Sequence, residues 1–395
     1  MSAEGEAIRS NDYRKDTTVK APSTRPAAVL GLDVGKSSHW ACLIDRDGEV
    51  LASAPVRNRE AELDALFASA PGGTLVVVDQ FRNIGSLAVR RARAAGLGVA
   101  YLPGLAASRA AGLFAGEAKT DERDAAVIAR TALGVPGSLS GVPGRGEALE
   151  AARALSSQRD HVVACATRDK NRLRAVLLES CPALEAAVDL SDRRWLELLA
   201  GFGGAWGIAR SGAGGPRAEA AGEAAAASTA PPPALVEAEN RQVMFLAARI
   251  SEALDEAGAL EAETAALLEG DETYACLLTV PGIGPRTAAQ LAVSVDIARF
   301  PDHDHLASYC GIAPRVRSSG TSVRSVRASR RGDARLKSLL IFSCNSLVRS
   351  SGRYGEYYRA CRARGMGHGR ALKAVARKRL RAIYAVMRDR VPYRE

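Results

Sequence analysis

Residues 27–56 read AAVLGLDVGKSSHWACLIDRDGEVLASAPV, and this stretch decides the fold of the first domain. Apolar and polar residues alternate along it, and a Gly-rich turn and a DRDG turn divide it into three strands. The first strand ends at Asp33, and the second runs from His39 to Ile44. The sequence therefore predicts three antiparallel strands at the start of the fold.

Helices and strands alternate after these three strands. EAELDALFASA and SLAVRRARAAG have helical patterns, TLVVVDQ predicts a buried strand that ends in Asp79, and GVAYLP predicts a short strand. A loop then leads into the helical pattern KTDERDAAVIARTAL. This order predicts an α/β domain over residues 27–146, preceded by a disordered leader at residues 1–26.

Two long helical patterns follow, at about 147–178 and 235–269. Residues 201–234, between them, are rich in Gly, Ala and Pro, and we expect a flexible insertion there. Long helices on either side of such a loop predict a coiled-coil arm within residues 147–270, of a kind that can join subunits.

The last segment, residues 271–395, is predicted to be mainly α-helical and begins with LLTVPGIGPRTAAQL. A short helix, Pro-Gly-Ile-Gly and a second helix form the pattern of a helix-hairpin-helix, whose glycines and helix N-terminus can approach a phosphate. The alternative is a helical hairpin that only packs. The candidate phosphate contacts are Gly282, Gly284, Arg286 and Thr287.

The charge of the chain is unevenly distributed. Residues 311–395 hold 22 Lys and Arg against 4 Asp and Glu, a net charge of +18, which leaves −8 for residues 1–310. A cationic segment of this kind is typical of proteins that bind a phosphate backbone. Further candidate contacts in its basic run are Arg315, Arg317, Arg324, Arg327, Arg330 and Arg331. The first long helix offers others, for which a solvated face is an equal explanation: Arg153, Arg159, Arg168, Lys170, Arg172 and Arg174.

Other classes of protein are disfavoured by composition. No apolar run is long enough for a membrane span, and the first residues are too polar for a signal peptide, so we expect a cytoplasmic protein without a membrane partner. The seven cysteines are scattered without a CxxC pair, which suggests neither a disulfide framework nor a zinc site.

Four aspartates stand where a metal site could form. Asp33 and Asp79 end predicted strands, while Asp121 and Asp124 lie three residues apart at a helix start and share a face. Glu122 lies about 100° around that helix. Each aspartate alone is more simply a turn or helix-cap residue. Together with the basic C-terminal segment, they favour a site for Mg²⁺ or Mn²⁺, which would relieve their repulsion.

These motifs resemble a known family. LGLDVGKSSHWACLID, VVVDQFRNIG, KTDERDAAVIAR, TVPGIGPRTAAQL and YCGIAPRVRSSGTSVRSVRASRRGDARLKSLLI are similar to the insertion-sequence-110 transposases. The resemblance covers about residues 27–390, without the Gly/Ala/Pro-rich insertion. It implies a RuvC-like (RNase H-like) N-terminal domain with a DEDD acidic set and a C-terminal transposase domain with a nucleophilic serine.

The family's residues fall on positions of this chain with one departure. The first acid matches Asp33, and the final pair matches Asp121 and Asp124. The second acid is normally a Glu followed by a Gly-aromatic motif, whereas this chain has Asp79 and FRNIG. A shorter carboxylate could alter metal geometry or activity. The serine before a glycine is the family's nucleophile, which makes Ser319 the expected residue and Ser318 the second choice.

The resemblance also implies a mechanism and partners. Mg²⁺ at the acidic site would act beside the serine of a partner subunit, in a homo-oligomer (dimer or tetramer) that cuts and rejoins donor and target DNA. A structured noncoding guide RNA, the bridge RNA, would choose the sites, and the protein would be nucleoid-associated. Two alternatives stay open: a metal-dependent nuclease like a Holliday-junction resolvase that uses only the carboxylates, and a non-catalytic DNA-binding protein.

Overall fold

A computed structural model of the chain describes residues 26–114, 120–142, 144, 146–319, 323–328 and 332–394. For 314–319 and 323–328 it describes the backbone alone. The chain divides into two compact units, Met1–Gly144 and Arg145–Glu395.

The first unit contains a mixed six-stranded sheet. Its order is β3-β2-β1-β4-β5-β6, in which β1, β4 and β5 are parallel and the other pairings are antiparallel. The first three strands are antiparallel neighbours, as the alternating pattern of residues 27–56 predicts. The strands are β1 (Ala28–Asp33), β2 (Ser38–Asp45), β3 (Val50–Arg57), β4 (Thr74–Val78), β5 (Gly98–Tyr101) and β6 (Ser140–Gly141).

Helices pack on both faces of this sheet because its central strands are apolar on both faces. One apolar layer joins the sheet to helices α1 and α2, and another joins it to α4. Strand β4 is buried along its whole length, which is why TLVVV shows no polar alternation. The helices are α1 (Glu60–Ser69), α2 (Ser86–Ala94), α3 (Gly104–Ala111) and α4 (Asp121–Gly134).

The second unit is mostly helical and begins with two long helices that pack on each other, α5 (Glu147–Ser180) and α10 (Pro233–Leu267). Arg159 of α5 pairs with Glu261 of α10, and further along α5 Asp169 pairs with Arg249. The later residue of α5 pairs with the earlier residue of α10, so the two helices are antiparallel. Four helices lie between them: α6 (Pro182–Ala187), α7 (Arg193–Phe202), α8 (Ala205–Ser211) and α9 (Pro216–Ala226).

The expectation of a flexible insertion at residues 201–234 is wrong, because this stretch forms α8 and α9. Four alanines of α9 are buried in a core with Trp195, Leu196 and Ile208: Ala218, Ala221, Ala224 and Ala225. Alanine has the highest helix propensity, and its small side chain lets helices approach closely. The composition that suggested a linker is therefore that of a close-packed helix.

The remaining residues build a second helical core and a two-stranded hairpin, β7 (Pro314–Ser319) and β8 (Val323–Ala328). The mixed α/β sheet and the mostly helical remainder confirm that part of the predicted fold class, while the coiled-coil arm and the helix-hairpin-helix stay predictions. The helices are α11 (Glu272–Leu278), α12 (Pro285–Ser294), α13 (His303–Tyr309), α14 (Ala334–Phe342), α15 (Asn345–Val348), α16 (Arg353–Ala363) and α17 (His368–Asp389).

No helix in the described ranges combines the length and the apolar character that crossing a membrane requires.

We expect Ala221→Lys to destabilise the second unit by roughly 2 to 4 kcal/mol, because a long charged side chain would replace a methyl group in a filled core. Urea unfolding measures this loss. Ala226→Lys, at an exposed position of the same helix, is the matched control and should change stability by less than about 0.5 kcal/mol. Equal midpoints for the two variants would contradict the packing of α9.

Candidate functional site

Two of the predicted aspartates meet at one edge of the sheet. Asp33 is the last residue of β1, and Asp79 follows β4 directly. These strands are parallel neighbours in which Leu32 pairs with Val78, so the two aspartates occupy the next positions of the register. The Val34 N–H donates a hydrogen bond to Asp79 Oδ1 (3.1 Å), which ties the two strand ends together.

Helix α4 lies directly against β1 because position 31 is a glycine. A Cβ there would meet the Ala125 carbonyl oxygen and come within 2.7 Å of the Ala129 nitrogen. Any larger residue would therefore push the helix away from the strand. The Thr120 side chain caps α4 by accepting the Arg123 N–H (3.3 Å), which fixes where the helix begins.

The carboxylates of Asp79 and Asp124 lie close enough to repel. Burial raises the pKa of Asp79, and the negative charge of Asp124 raises it further, although backbone N–H groups such as that of Val34 oppose the shift. Two carboxylates near one buried edge are stabilised by a hard divalent cation, for which aspartate oxygens are suitable ligands. The donor chemistry of this edge therefore suits a hard divalent cation.

Asp121 and Glu122 are more exposed than Asp79. Asp121 is exposed at the first residue of α4. Glu122 accepts a hydrogen bond from Ser53 Oγ (3.4 Å) of β3, as expected for a residue on another side of the helix. Within the described residues, no three His, Cys, Asp or Glu side chains converge closely enough to hold a metal ion. The structure thus brings Asp33, Asp79 and Asp124 to one edge without assembling the four predicted ligands.

His39 belongs to this edge, and sequence reasoning missed it. It is buried on β2, and its Nδ1 accepts the Gly35 N–H (3.2 Å), which pins the turn that carries Val34. Burial lowers the pKa of His39, while a hydrogen bond with Asn58 and the charge of Asp79 oppose that shift. The sequence signal that could have identified His39 is a histidine at an inward position of a strand, beside a Gly-rich turn.

The Pro-Gly-Ile-Gly turn packs on a buried arginine. Gly282 has φ +75°, and a Cβ there would lie 2.8 Å from Leu347 Cγ and 2.9 Å from Arg379 Nη1. Arg379 is fully buried on α17 and donates to the carbonyl oxygens of Pro281 (3.3 Å) and Ser343 (3.0 Å). These contacts explain the glycine at position 282 without a phosphate.

The other residues of this motif differ in accessibility. Gly284 precedes α12 as an N-cap without a capping side chain, and a Cβ at this position would meet open space. Arg286 is exposed in the first turn of α12. Thr287 is buried, with 7% of the residue exposed.

The basic run forms the β7–β8 hairpin. Ser319 pairs with Val323 and Ser318 with Arg324 in the backbone register, while Arg315 pairs with Arg327. Arg317 lies between positions 315 and 319 on β7. The predicted contacts Arg330 and Arg331 lie outside the described residues.

Two of the basic residues suggested on the first long helix already have partners in the protein. Arg159 is paired with Glu261 (2.6 Å) and Asp160 (3.2 Å), and its side chain is only 12% exposed. Arg174 is paired with Glu185 (2.6 Å). Arg159 is therefore shielded from solvent, whereas Arg174 keeps an exposed side chain (46%) beside its carboxylate partner.

Comparison with known proteins gives two matches to family models. Residues 30–182 match the DEDD IS110 model, described as a transposase, and residues 274–359 match the model described as Transposase IS116/IS110/IS902 family.

Individual proteins are similar over nearly the whole chain. An insertion element IS110 uncharacterized 43.6 kDa protein of Streptomyces coelicolor is 35% identical, over 91% of this chain and 94% of that protein. An insertion element IS116 uncharacterized 44.8 kDa protein of Streptomyces clavuligerus is 30% identical, over 93% and 96%. The solved structure of T. thermophilus RuvC in complex with a Holliday junction substrate is 16% identical, with a TM-score of 0.24, over 29% of this chain and 99% of that one.

Asp79→Asn tests the burial of charge at the sheet edge, because it keeps an Oδ1 acceptor for the Val34 N–H and removes the carboxylate. The folded-state pKa of Asp79 is raised above its unfolded value, so its contribution to stability is present at low pH and is lost as pH rises through the raised pKa. The free energy of unfolding of the wild type relative to this variant should therefore fall as pH rises from the ordinary aspartate range.

Urea unfolding in EDTA, from about pH 4 to about pH 8, follows this difference across the window in which the carboxylate titrates. Asp121→Asn removes one exposed acidic charge and is the control. A pH-independent difference between the wild type and Asp79→Asn would contradict the burial of this charge.

Gly282→Ala should destabilise the second unit by about 1 to 3 kcal/mol, because alanine is strained at positive φ and its methyl group would press on Arg379 and Leu347. Gly258→Ala is the matched control: position 258 lies in α10 with open space around it, so the change should stabilise the helix by up to about 1 kcal/mol. Urea unfolding distinguishes the two. A neutral effect of Gly282→Ala would show that the turn does not pack on Arg379.

Proposed function

The chain belongs to the IS116/IS110/IS902 family of transposases, and we propose that this DNA transposase uses an acidic site in its first unit and a serine nucleophile in its second. The observation that carries the acidic site is the meeting of Asp33 and Asp79 at neighbouring strand ends, with Asp124 close enough to raise the pKa of Asp79.

Asp33, Asp79 and Asp124 would hold Mg²⁺ or Mn²⁺, and Asp121 would complete the set from the exposed first residue of α4. When bound, the cation supplies stabilisation of the charge that develops on the phosphodiester oxygens. The chain itself orients Asp79, because the Val34 N–H donates a hydrogen bond to its Oδ1. His39 acts as a positioning residue, since it holds the turn that carries this N–H.

Ser319 is the proposed nucleophile, and the hairpin register supports it over Ser318. Residues directly opposite in an antiparallel pair share a face, and residues two apart along a strand share that face. Position 319 therefore belongs to the face of Arg315, Arg317 and Arg327. Position 318 belongs to the face of Val316 and Val326, where Arg324, directly opposite it, is one arginine against three on the face of Ser319.

Guanidinium groups on the face of Ser319 would grip the scissile phosphate and stabilise the ionised serine oxygen. Attack of Oγ on phosphorus would form a serine phosphodiester as the serine proton leaves, and the released deoxyribose oxygen would become a hydroxyl. Attack by a DNA hydroxyl on that ester would rejoin a strand and regenerate the serine.

The proposal extends to the partners that the family resemblance implies. Donor and target DNA would be selected by base pairing with a structured noncoding RNA, and the protein would act as a homo-oligomer. The net charge of +18 on residues 311–395 supports contact with nucleic-acid backbones. A guide RNA would explain how a protein without an evident base-reading motif selects its sites.

Ser319→Ala should abolish the covalent protein–DNA adduct, with at least a hundred-fold loss on the scale of a lost catalytic nucleophile. Ser318→Ala is the matched control and should keep most of the adduct. The measurement is SDS-resistant labelling of the protein by radiolabelled DNA carrying the ends of its insertion element, with the flanking transcript and Mg²⁺.

Cleavage by Ser319→Ala without an adduct would instead indicate a nuclease that uses only the carboxylates. Loss of the adduct in Ser318→Ala alone would overturn the choice of serine. Absence of cleavage by the wild type under these conditions would favour a non-catalytic DNA-binding protein.

A further inference from the structure

We infer that a cleft in the second unit binds one unpaired nucleotide of a nucleic-acid strand, with its phosphate at Arg286 and its base against Phe342. The cleft lies among α5, α10, α12 and α14, and neither the acidic site nor the serine hairpin contributes to it. This inference rests on the proposed nucleic-acid function, and it is independent of the serine and metal chemistry.

The cleft has the size and lining of a ligand site. Its volume is about 370 Å³, within the range of pockets that hold small molecules. Ala289 and Leu339 supply apolar walls, and Gln290, Thr264 and Ser338 supply polar groups. A nucleotide needs both kinds of surface, because its base is flat and weakly polar whereas its phosphate is charged.

The charges that line the cleft do not balance. Three arginines face two carboxylates: Arg159 pairs with Asp160 and Glu261, and Arg335 pairs with Asp160 and donates to the Ser156 carbonyl oxygen (2.6 Å). Arg286 is the third arginine. In the part of the chain that the structure describes, its side chain has neither an ion pair nor a hydrogen bond.

The environment of Arg286 favours an anion. Burial lowers the pKa of Arg286, and the positive charges of Arg159 and Arg335 lower it further, against the opposing charges of Asp160 and Glu261. An anionic group in the cleft would relieve that repulsion. The cleft also opens at the first turn of α12, where backbone N–H groups favour negative charge.

Phe342 supplies the surface for the base. It is the last residue of α14, the residue is 67% exposed, and it lines the same cleft as Arg286. An exposed aromatic side chain beside a cationic groove is the arrangement by which proteins hold unpaired bases. A base inside a duplex is already stacked, so a strand must present it unpaired.

Fluorescence anisotropy of the full chain with labelled single-stranded and duplex oligonucleotides tests this inference, in DNA and RNA versions of each. Phe342→Ala should weaken single-strand binding about ten-fold, the scale of one lost base stack, and leave duplex binding within about two-fold. Arg286→Gln should weaken single-strand binding and lower its salt dependence by about one phosphate contact.

Two control variants come from the same unit. Phe245→Ala removes an exposed phenylalanine of α10, and Arg241→Gln removes an exposed arginine of that helix, and neither residue lines the cleft. Both should bind oligonucleotides like the wild type. All four positions are exposed, so thermal unfolding should be unchanged, and a loss of binding then reports on the cleft.

If Phe342→Ala and Arg286→Gln lose affinity only for single-stranded DNA, the cleft binds DNA, and if they lose affinity only for single-stranded RNA, it binds RNA. Lost affinity for both strands supports recognition of the nucleotide chemistry that DNA and RNA share. Single-strand affinity of Phe342→Ala equal to that of Phe245→Ala would overturn the inference, as would an equal loss for duplexes. Ser319→Ala should retain this binding, so a failed serine mechanism and a failed cleft give different results.

Discussion

The acidic edge depends on one contact between two backbones, that of α4 with β1 at Gly31. Because no side chain separates them, the helix that carries Asp124 lies beside the strand that carries Asp33. The parallel pairing of β1 and β4 then adds Asp79 at the same edge. A hydrophobic core covers both faces of this sheet, so the aspartates sit at the margin of an apolar interior, where their repulsion is strong.

The two units show opposite forms of the same electrostatic problem. In the first, carboxylates gather at one edge of the sheet, and in the second, three arginines face two carboxylates in the cleft. Arg379 is accommodated by carbonyl oxygens of Pro281, Leu340 and Ser343, several of them at the end of α14, where the helix dipole is negative. Among the described residues Arg286 has no such set of acceptors, which is why the buried Arg379 and the exposed Arg286 have different expected roles.

Much of this architecture could be read from the sequence, and the failures have physical causes. Alternation in residues 27–56 predicts the three antiparallel strands, and strand ends followed by aspartate predict the acidic edge, because both depend on local pattern. The order of residues 201–234 depends on packing against α7 and α10, which composition does not encode. The contacts of Arg379 and the cleft at Arg286 join residues far apart in sequence, so no single motif contains them.

The hydrogen bond from the Val34 N–H to Asp79 Oδ1 gives an aspartate one advantage over a glutamate at this position. A glutamate has an additional rotatable bond and loses more side-chain entropy when it is fixed against a ligand. Asp79 has fewer torsions, and one of its oxygens is already restrained by the neighbouring strand. The side chain of aspartate is shorter than that of glutamate, but its carboxylate is more preorganised. An ion at this edge would therefore bind a carboxylate whose conformational freedom has already been lost during folding.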